Sequence, residues 1–412
     1  MAPKKATTKK PSITSRTKLP LADIRVVEFT HMVMGPTAGV ILADMGADVI
    51  KVEPIGGDNT RRLKGSGAGY FAMYNRNKRS VALDLKSDEG RKIALQLIKK
   101  ADVLIENFRP GAMDKLGFGY KEAKKLNPKI IYCSEKGFLT GPYSHRTALD
   151  EVAQMMGGLA YMTGPPGQPL RAGASVIDVT GGMFGVIGIL AALHQRKKTK
   201  KGQQVTASLY ETTAFFVGQH MAQHAVTGKP AAPMPARVSA WAVYDVFDTK
   251  DDDKVFVGVV SDTQWKSFCD AFGLKEFGAD ETLATNNGRV AARDRVKPAI
   301  QALFKQLTKA DLMAKLEATG MPFAPITKPH EMVDDPHLNA AGGFVSLTIP
   351  EGEFKGAKVK LPALPLEVDG KRFGVFRDLT RQGQDTRAVL KELGYKPEKI
   401  KALLKAGKVE HT

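Results

Sequence analysis

Asp178 stands in the stretch Arg171-Ala-Gly-Ala-Ser-Val-Ile-Asp178-Val-Thr-Gly-Gly-Met183, where an apolar run ends in one carboxylate and a glycine pair opens a small-residue helix over 183–193. A carboxylate at a strand-to-helix junction beside glycines faces open space, because a residue without a Cβ lets a ligand or another backbone come close. Partial desolvation strengthens such a carboxylate as a nucleophile toward an activated carbonyl, and a neighbouring helix N-terminus can stabilise the oxyanion that forms. The same position also suits an Asp that simply caps the helix. Two further groups of residues bear on the choice. Arg61, Arg62, Lys64, Arg76, Lys78 and Arg79 cluster in and after a connection with glycines at 56, 57, 65, 67 and 69. Such a loop could cradle phosphates, with Arg for bidentate contacts and Lys for point charge, or be a solvated basic surface. Asn107, in Glu106-Asn-Phe-Arg-Pro-Gly111, either bonds a ligand amide or caps a helix.

The elements that would position these residues alternate as strand and helix. A short apolar strand, 24–29, is followed by a glycine-bearing helix, 35–46, and a second strand, 48–53. This is a βαβ unit and predicts a right-handed parallel crossover. The alternation continues with a strand at 80–85, a helix at 89–101, a strand at 102–105, a helix near 111–116 and a strand at 129–134, which argues for a doubly wound α/β sheet. A strand at 204–208 and a long helix to about residue 227 complete this part. The proline-rich segment 229–235 reads as a stiff linker. Strands at 242–247 and 255–260 with helices at 263–272 and 291–307 then suggest a smaller α+β domain. Residues 322–366 read as extended, and 385–404 as helical with a break at Leu393-Gly394. The expected organisation is a basic tail at 1–18, a large domain at 19–225, a small domain with its linker at 226–330, and a return segment with C-terminal helices at 331–412.

Composition narrows the function classes. With 43% hydrophobic and 25% charged residues, the 412-residue chain reads as a soluble globular protein, and no apolar stretch is read as long enough to span a bilayer. Cys133 and Cys269 are far apart with no metal spacing, which points to a reducing, cytoplasmic setting and to no metal site. Of the net charge of +18, a third comes from Lys4, Lys5, Lys9, Lys10, Arg16 and Lys18 in a tail rich in Pro, Ser and Thr that is expected to be disordered. Only 7% of residues are aromatic, so nucleic acid is not the expected partner, and an anionic small molecule accounts better for the charge. The first βα turn, His31-Met-Val-Met-Gly35-Pro36-Thr-Ala-Gly39, is not G-x-G-x-x-G. Glu53 ends the second strand as a ribose-binding acid would, but without the glycine triplet no nicotinamide cofactor is expected.

Taken in order, the motifs Glu28-Phe-Thr-His31, Gly35-Pro36, Gly46-Ala-Asp-Val-Ile-Lys-Val-Glu53, Asn75-Arg-Asn-Lys-Arg-Ser80, Glu106-Asn-Phe-Arg-Pro-Gly111, Gly141-Pro-Tyr143 and Gly173 to Asp178 resemble the class III coenzyme A transferases. That family also takes in the 2-methylacyl-CoA racemases, and the resemblance runs from about Leu19 to the C-terminus. It implies a Rossmann-like large domain, a smaller domain, and a homodimer of two chains interlocked like links of a chain. It implies acyl-CoA and carboxylic acid substrates, with the coenzyme A thioester as substrate and no tightly bound cofactor. By position, Asp178 falls on the family's catalytic aspartate. Val33 stands where the formyl-CoA transferase has a glutamine beside the acyl group. Leu83, Asp84, Leu85, Lys86, Asn107, Phe108, Arg109, Lys115, Thr147, Ala148, Leu149 and Asp150 fall on coenzyme A contacts.

The mechanism implied is attack of Asp178 on the donor thioester, with succinyl-CoA a candidate donor, followed by exchange through an aspartyl-CoA thioester. The racemases carry a histidine where this chain has Leu149, and Leu cannot move a proton, so a racemase is the alternative rather than the expectation. An inactive partner subunit of a hetero-oligomeric transferase is a second alternative, and it would have little need of Asp178. The glycine run that closes over the acceptor in formyl-CoA transferase has no counterpart in 228–245. That segment instead offers Arg237 and Trp241, Arg237 to pair with a second carboxylate of the acceptor and Trp241 either to line its pocket or to pack a hinge.

Overall fold

The computed structural model describes residues 12–13, 15–237 and 239–412, and its contacts divide the chain into two compact units, one of the chain up to Pro235 with Asp335–Thr412 and one of Ala236–Asp334. In the larger unit, strand β1 (Arg25–Phe29) leads through helix α1 (Met34–Asp44) to strand β2 (Asp48–Glu53). Strand β3 (Arg79–Leu83), helix α2 (Asp88–Lys100), strand β4 (Val103–Glu106) and strand β5 (Ile131–Lys136) follow. Helix α3 (Asp150–Met156), helix α4 (Val176–Thr199), strand β6 (Gln204–Ser208) and helix α5 (Leu209–Thr227) complete the first pass of the chain.

These strands form one parallel sheet in the order β3-β2-β1-β4-β5-β6, with Val409–Glu410 added antiparallel at the β3 edge. Val26, Val27, Val103, Leu104 and Ile105 are buried, as required of strands covered by helices on both faces. One face carries α2 and the C-terminal helices Thr386–Glu392 and Pro397–Lys405, and the other carries α1 and α4. The strand order reverses between β1 and β4, and the segments leaving their carboxyl ends turn to opposite faces. In open α/β sheets that divergence leaves the crevice where ligands bind.

The smaller unit is an antiparallel sheet of β7 (Val243–Asp248), β8 (Lys254–Val259) and β9 (Phe323–Pro325) in the order β9-β8-β7. Helices Asp262–Phe272, Arg293–Phe304 and Lys309–Thr319 pack around Trp265, Phe268 and Phe304 on it.

Several elements differ from the sequence reading. Lys4, Lys5, Lys9 and Lys10 of the expected tail lie outside the described residues. Its later part is ordered: Ser12–Ile13 pairs with Lys371–Phe373, and Arg16 donates to the carbonyls of Ala22 and Gly46. The segment 322–366 is not simply extended, because Phe344–Thr348 and Lys358–Pro362 pair as a hairpin. The helix expected over 183–193 runs from Val176 to Thr199, and by length and composition it could cross a membrane, contrary to the expectation that no segment could. Part of its surface packs on α1, β5 and β6.

The basic run is chiefly internal structure. Lys78 Nζ donates to Glu28 at 2.8 Å, Arg76 pairs with Asp44 at 2.7 Å, and Arg79 with Asp48 at 3.3 Å and Glu392 at 2.8 Å. Arg61 holds Glu53 at 2.7 Å and lies 3.8 Å over the Phe71 ring. Glu53, at the strand end where a ribose-binding acid would stand, is instead taken up by Arg61, by Ser80 Oγ and by the backbone of Asp58.

Candidate active site

The loops at the carboxyl ends of β1, β4 and β5 and the start of α4 enclose a cavity of about 500 Å³. Asp178 lies in it, on the first turn of α4 rather than at a strand end. The helix is capped by a carboxylate from another element. Asp150 Oδ2 accepts from the backbone N–H of Ile177 at 2.9 Å and of Asp178 at 3.1 Å, satisfying donors that a helix start leaves unpaired. Asp150 is in turn held by Gln154 Nε2 at 2.5 Å and faces Arg171 at 3.4 Å. The capping role that the sequence allowed Asp178 thus belongs to Asp150. Among the described residues, no donor is paired with the Asp178 carboxylate itself. Burial and the Asp150 charge, offset by Arg171, push its pKa up to about 7.

The glycines after Asp178 do not open the helix but sit inside it. A Cβ at Gly181 would fall 2.6 Å from Met34 Cε, and one at Gly182 2.6 Å from the Met34 carbonyl. They let α4 lie directly on α1, which fixes the first turn of α4 against the β1 loop. Their N–H groups belong to the helical ladder and are not free to meet an oxyanion.

Asn107 does not cap a helix either, since Gly111 occupies that place before Ala112–Leu116. Its Oδ1 accepts from the His31 N–H at 3.0 Å and its Nδ2 donates to the His31 carbonyl at 2.8 Å. This clasp joins the β1 and β4 loops across the reversal of strand order. The His31 ring packs on Phe108 at 5.6 Å, and burial lowers its pKa. The β4 loop is braced from β5, where Lys136 Nζ donates to both Glu106 oxygens at 2.6 Å and to the Phe108 carbonyl at 2.7 Å.

Of the residues expected to hold coenzyme A, Asn107, Phe108, Arg109, Thr147, Ala148, Leu149 and Asp150 line this cavity with Asp178. Val33, Leu83, Asp84, Leu85, Lys86 and Lys115 do not line it. Val33 and Leu83 are buried in the core, and Asp84 pairs with Lys408 at 3.3 Å and accepts from the Lys86 N–H at 3.1 Å. Leu149 is 61% exposed on the cavity wall, an apolar side chain with no proton to give. Arg237 and Trp241 belong to the smaller unit, where the Trp241 ring lies 4.9 Å from that of Tyr244 and the Trp241 carbonyl accepts from Arg293 at 2.9 Å.

Sequence reading did not single out Glu135, Lys136, Tyr70, Ser175 or Arg171, which also line the cavity. The one available signal was the pair Glu135-Lys136 at the carboxyl end of a parallel strand, where such folds place functional side chains.

Residues 21–386 match CoA-transferase family III. The acetyl-CoA:oxalate CoA-transferase of Acetobacter aceti is 35% identical over 86% of this chain and 91% of its own length. The succinate–glutarate CoA-transferase of Agrobacterium fabrum is 36% identical over 81% of this chain and 87% of its own. A CaiB/BaiF family protein from Brucella suis has a similar solved structure, with a TM-score of 0.80 and 32% identity over 91% of this chain and 99% of that one. The chain belongs to CoA-transferase family III and is a CoA-transferase.

Proposed function

We propose that Asp178 carries the transfer covalently. Its carboxylate oxygen attacks the carbonyl carbon of the donor thioester and the C–S bond breaks, giving a mixed anhydride and coenzyme A thiolate. The thiolate then attacks the aspartyl carbonyl, and the anhydride C–O bond breaks to release the donor acid as its carboxylate. The resulting aspartyl-CoA thioester passes coenzyme A to the acceptor carboxylate by the same two steps in reverse. No proton is gained or lost overall.

The observation that supports this most is the Asp178 carboxylate itself, half-buried in the cavity with no donor paired to it among the described residues. An ionised carboxylate relieved of hydrogen bonds is a stronger nucleophile. Exposed Lys64, Arg109 and Arg146 on the cavity wall suit the phosphates of coenzyme A. A dicarboxylic acid pair, with succinyl-CoA as donor, fits this charge and the oxalate and glutarate named for the relatives.

The chain is further proposed to work as an interlocked homodimer. Helices α4 and α5 leave Ile187, Phe215, Met221 and Val226 largely exposed, Phe215 at 74% and Val226 at 82%, apolar side chains that a partner chain would cover.

Mass spectrometry after incubation with acetyl-CoA and succinyl-CoA tests the covalent step. An acyl or coenzyme A adduct on Asp178, absent from Asp178→Ala, is expected. No adduct, together with exchange of an α-proton of 2-methylacyl-CoA in deuterated water, would return the assignment to a racemase.

A further inference from the structure

Glu135 is a further carboxyl of the same cavity, and the covalent steps above do not use it. It sits near the end of β5, 2% exposed, and neither of its oxygens has a hydrogen-bond partner among the described residues. Strand alternation sends Ser134 and Lys136 to one face, where both bond Glu106, and Cys133 and Glu135 to the other, under α4. There the helix makes room for it. A Cβ at Gly185 would fall 2.5 Å from Glu135 Oε1, so any larger residue there would displace the carboxyl from its present place. Gly185 lies two helical turns beyond Asp178 on the same face, which sets Glu135 beneath the helix that carries the nucleophile.

We propose that Glu135 is a positioning residue of the transfer reaction, a carboxyl that keeps its proton beneath the catalytic helix and so spares Asp178 a second uncompensated negative charge. The proposal rests on the covalent role of Asp178 and goes beyond it. A buried carboxylate without donors or a cation carries a desolvation cost that a neutral carboxyl avoids. The nearby cations are committed elsewhere. Lys136 is held by Glu106 on the opposite face, and Lys78 and Lys51 by Glu28 and Asp58. The charges that act on Glu135 are Glu106 on β4 and Lys136 on its own strand, both on the opposite face, with Glu28 on β1 and Asp178 on α4. Burial first, then the three carboxylates, push its pKa up to about 8.

Every ionic species of the proposed cycle is an anion: the attacking carboxylate, the oxyanion and the departing thiolate. A neutral Glu135 leaves them undisturbed, whereas an ionised one raises the energy of each across a water-poor floor. The two carboxyls titrate as a pair, so the profile reports the pair rather than either group alone.

The test is the rate of Asp178 adduct formation with succinyl-CoA as a function of pH, in the wild type, Glu135→Gln and Glu135→Leu. Both substitutions remove the proton that can be lost, one keeping the shape and one the apolar surroundings. In the wild type the rate should fall about tenfold between about pH 7 and about pH 9, and in both variants that fall should disappear. Circular dichroism melts establish that the variants are folded. A variant that folds and still shows the wild-type alkaline fall overturns the assignment of Glu135 while leaving the covalent mechanism intact. A wild type that forms no adduct at any pH overturns both.

Discussion

Two regions meet at the carboxyl end of the parallel sheet, and both are rich in buried charge. Around β1, β2 and β3, Glu28, Glu53, Asp44 and Asp58 are each matched by a lysine or arginine at 3.0 Å or less. Around α4 and β5, Asp178 and Glu135 have no donor among the described residues. In the first region pairing spends the charge on holding loops to the sheet. In the second, the chain leaves carboxyls partly desolvated and unmatched, and the tendency of perturbed groups to gather at functional sites marks it as the reactive one. What distinguishes chemistry from structure here is the absence of a counter-charge, not the presence of a charge.

The largest effect that would sharpen this contrast is on turnover. Asp178→Asn keeps the size of the side chain but not the nucleophile, and transfer between acids should drop by about 10⁴-fold or more in a coupled assay. Residual activity within tenfold of wild type would remove Asp178 from the centre of the site.

In the paired region, Lys78→Met should instead damage the fold. It leaves Glu28 buried beside Gly39 with only Lys51, at 3.9 Å, to offset it. Breaking one partner of a buried pair costs about 3–5 kcal/mol, which urea denaturation would show as a lowered midpoint. Unchanged stability would mean that the ion pairs of this region hold nothing in place.

The unpaired region should behave oppositely. Asp178 has its pKa raised from 3.8 to about 7 in the folded chain, so the native state holds a proton that the unfolded chain has released. Stability from this group is complete below its unfolded pKa and is lost as pH rises through the folded value. Asp178→Asn should therefore unfold at higher urea than wild type at pH 8, by up to about 4 kcal/mol, and at the same urea near pH 4. A variant that loses both activity and stability at pH 8 would contradict the unmatched state of the carboxylate.

Much of the frame was legible in the sequence, and the reason is local. The alternation of apolar strands with amphipathic helices is set by each segment's own pattern, and the strand Asp48–Glu53 lies where its run of Val, Ile and Val places it. Of the residues that line the cavity, Asp178 and Asn107 drew notice by their own chemistry, and Phe108, Arg109 and Thr147 to Asp150 by the family resemblance. The cap from Asp150 bridges residues 28 apart, and the clasp of Asn107 on His31 bridges 76, so neither leaves a local trace. The early start of α4 was hidden because Gly181 and Gly182 weaken a helix by about 1 kcal/mol each when judged alone. Their contact with Met34 on α1 is a tertiary fact that outweighs that cost. Arg76 and Lys78 looked like a phosphate cradle because a charge in a sequence does not announce whether it is buried.

Asp150 belongs to both regions in kind, a carboxylate that is fully engaged yet raises the pKa of its unengaged neighbour. Asp150→Asn keeps an oxygen for the helix N–H groups and removes the charge. The acid limb of adduct formation should then move down by about one pH unit, with melting changed by less than about 1 kcal/mol. A limb that stays in place would assign the raised pKa to burial alone.

The smallest effect concerns the acceptor. Arg237 is proposed as the cation for the second carboxylate of a dicarboxylic acceptor, whereas Trp241, its ring tilted against that of Tyr244, has the marks of packing. An exposed charge pair contributes little and a desolvated one more, so Arg237→Ala should raise the KM for the acceptor acid about threefold to tenfold. Adduct formation from the donor should not change, because that step needs only Asp178 and the thioester. A monocarboxylic acceptor should be indifferent to the substitution. If glutarate and a monocarboxylate of equal length lose affinity alike, Arg237 serves the fold of the smaller unit, and the choice of acid is made by the cavity around Asp178.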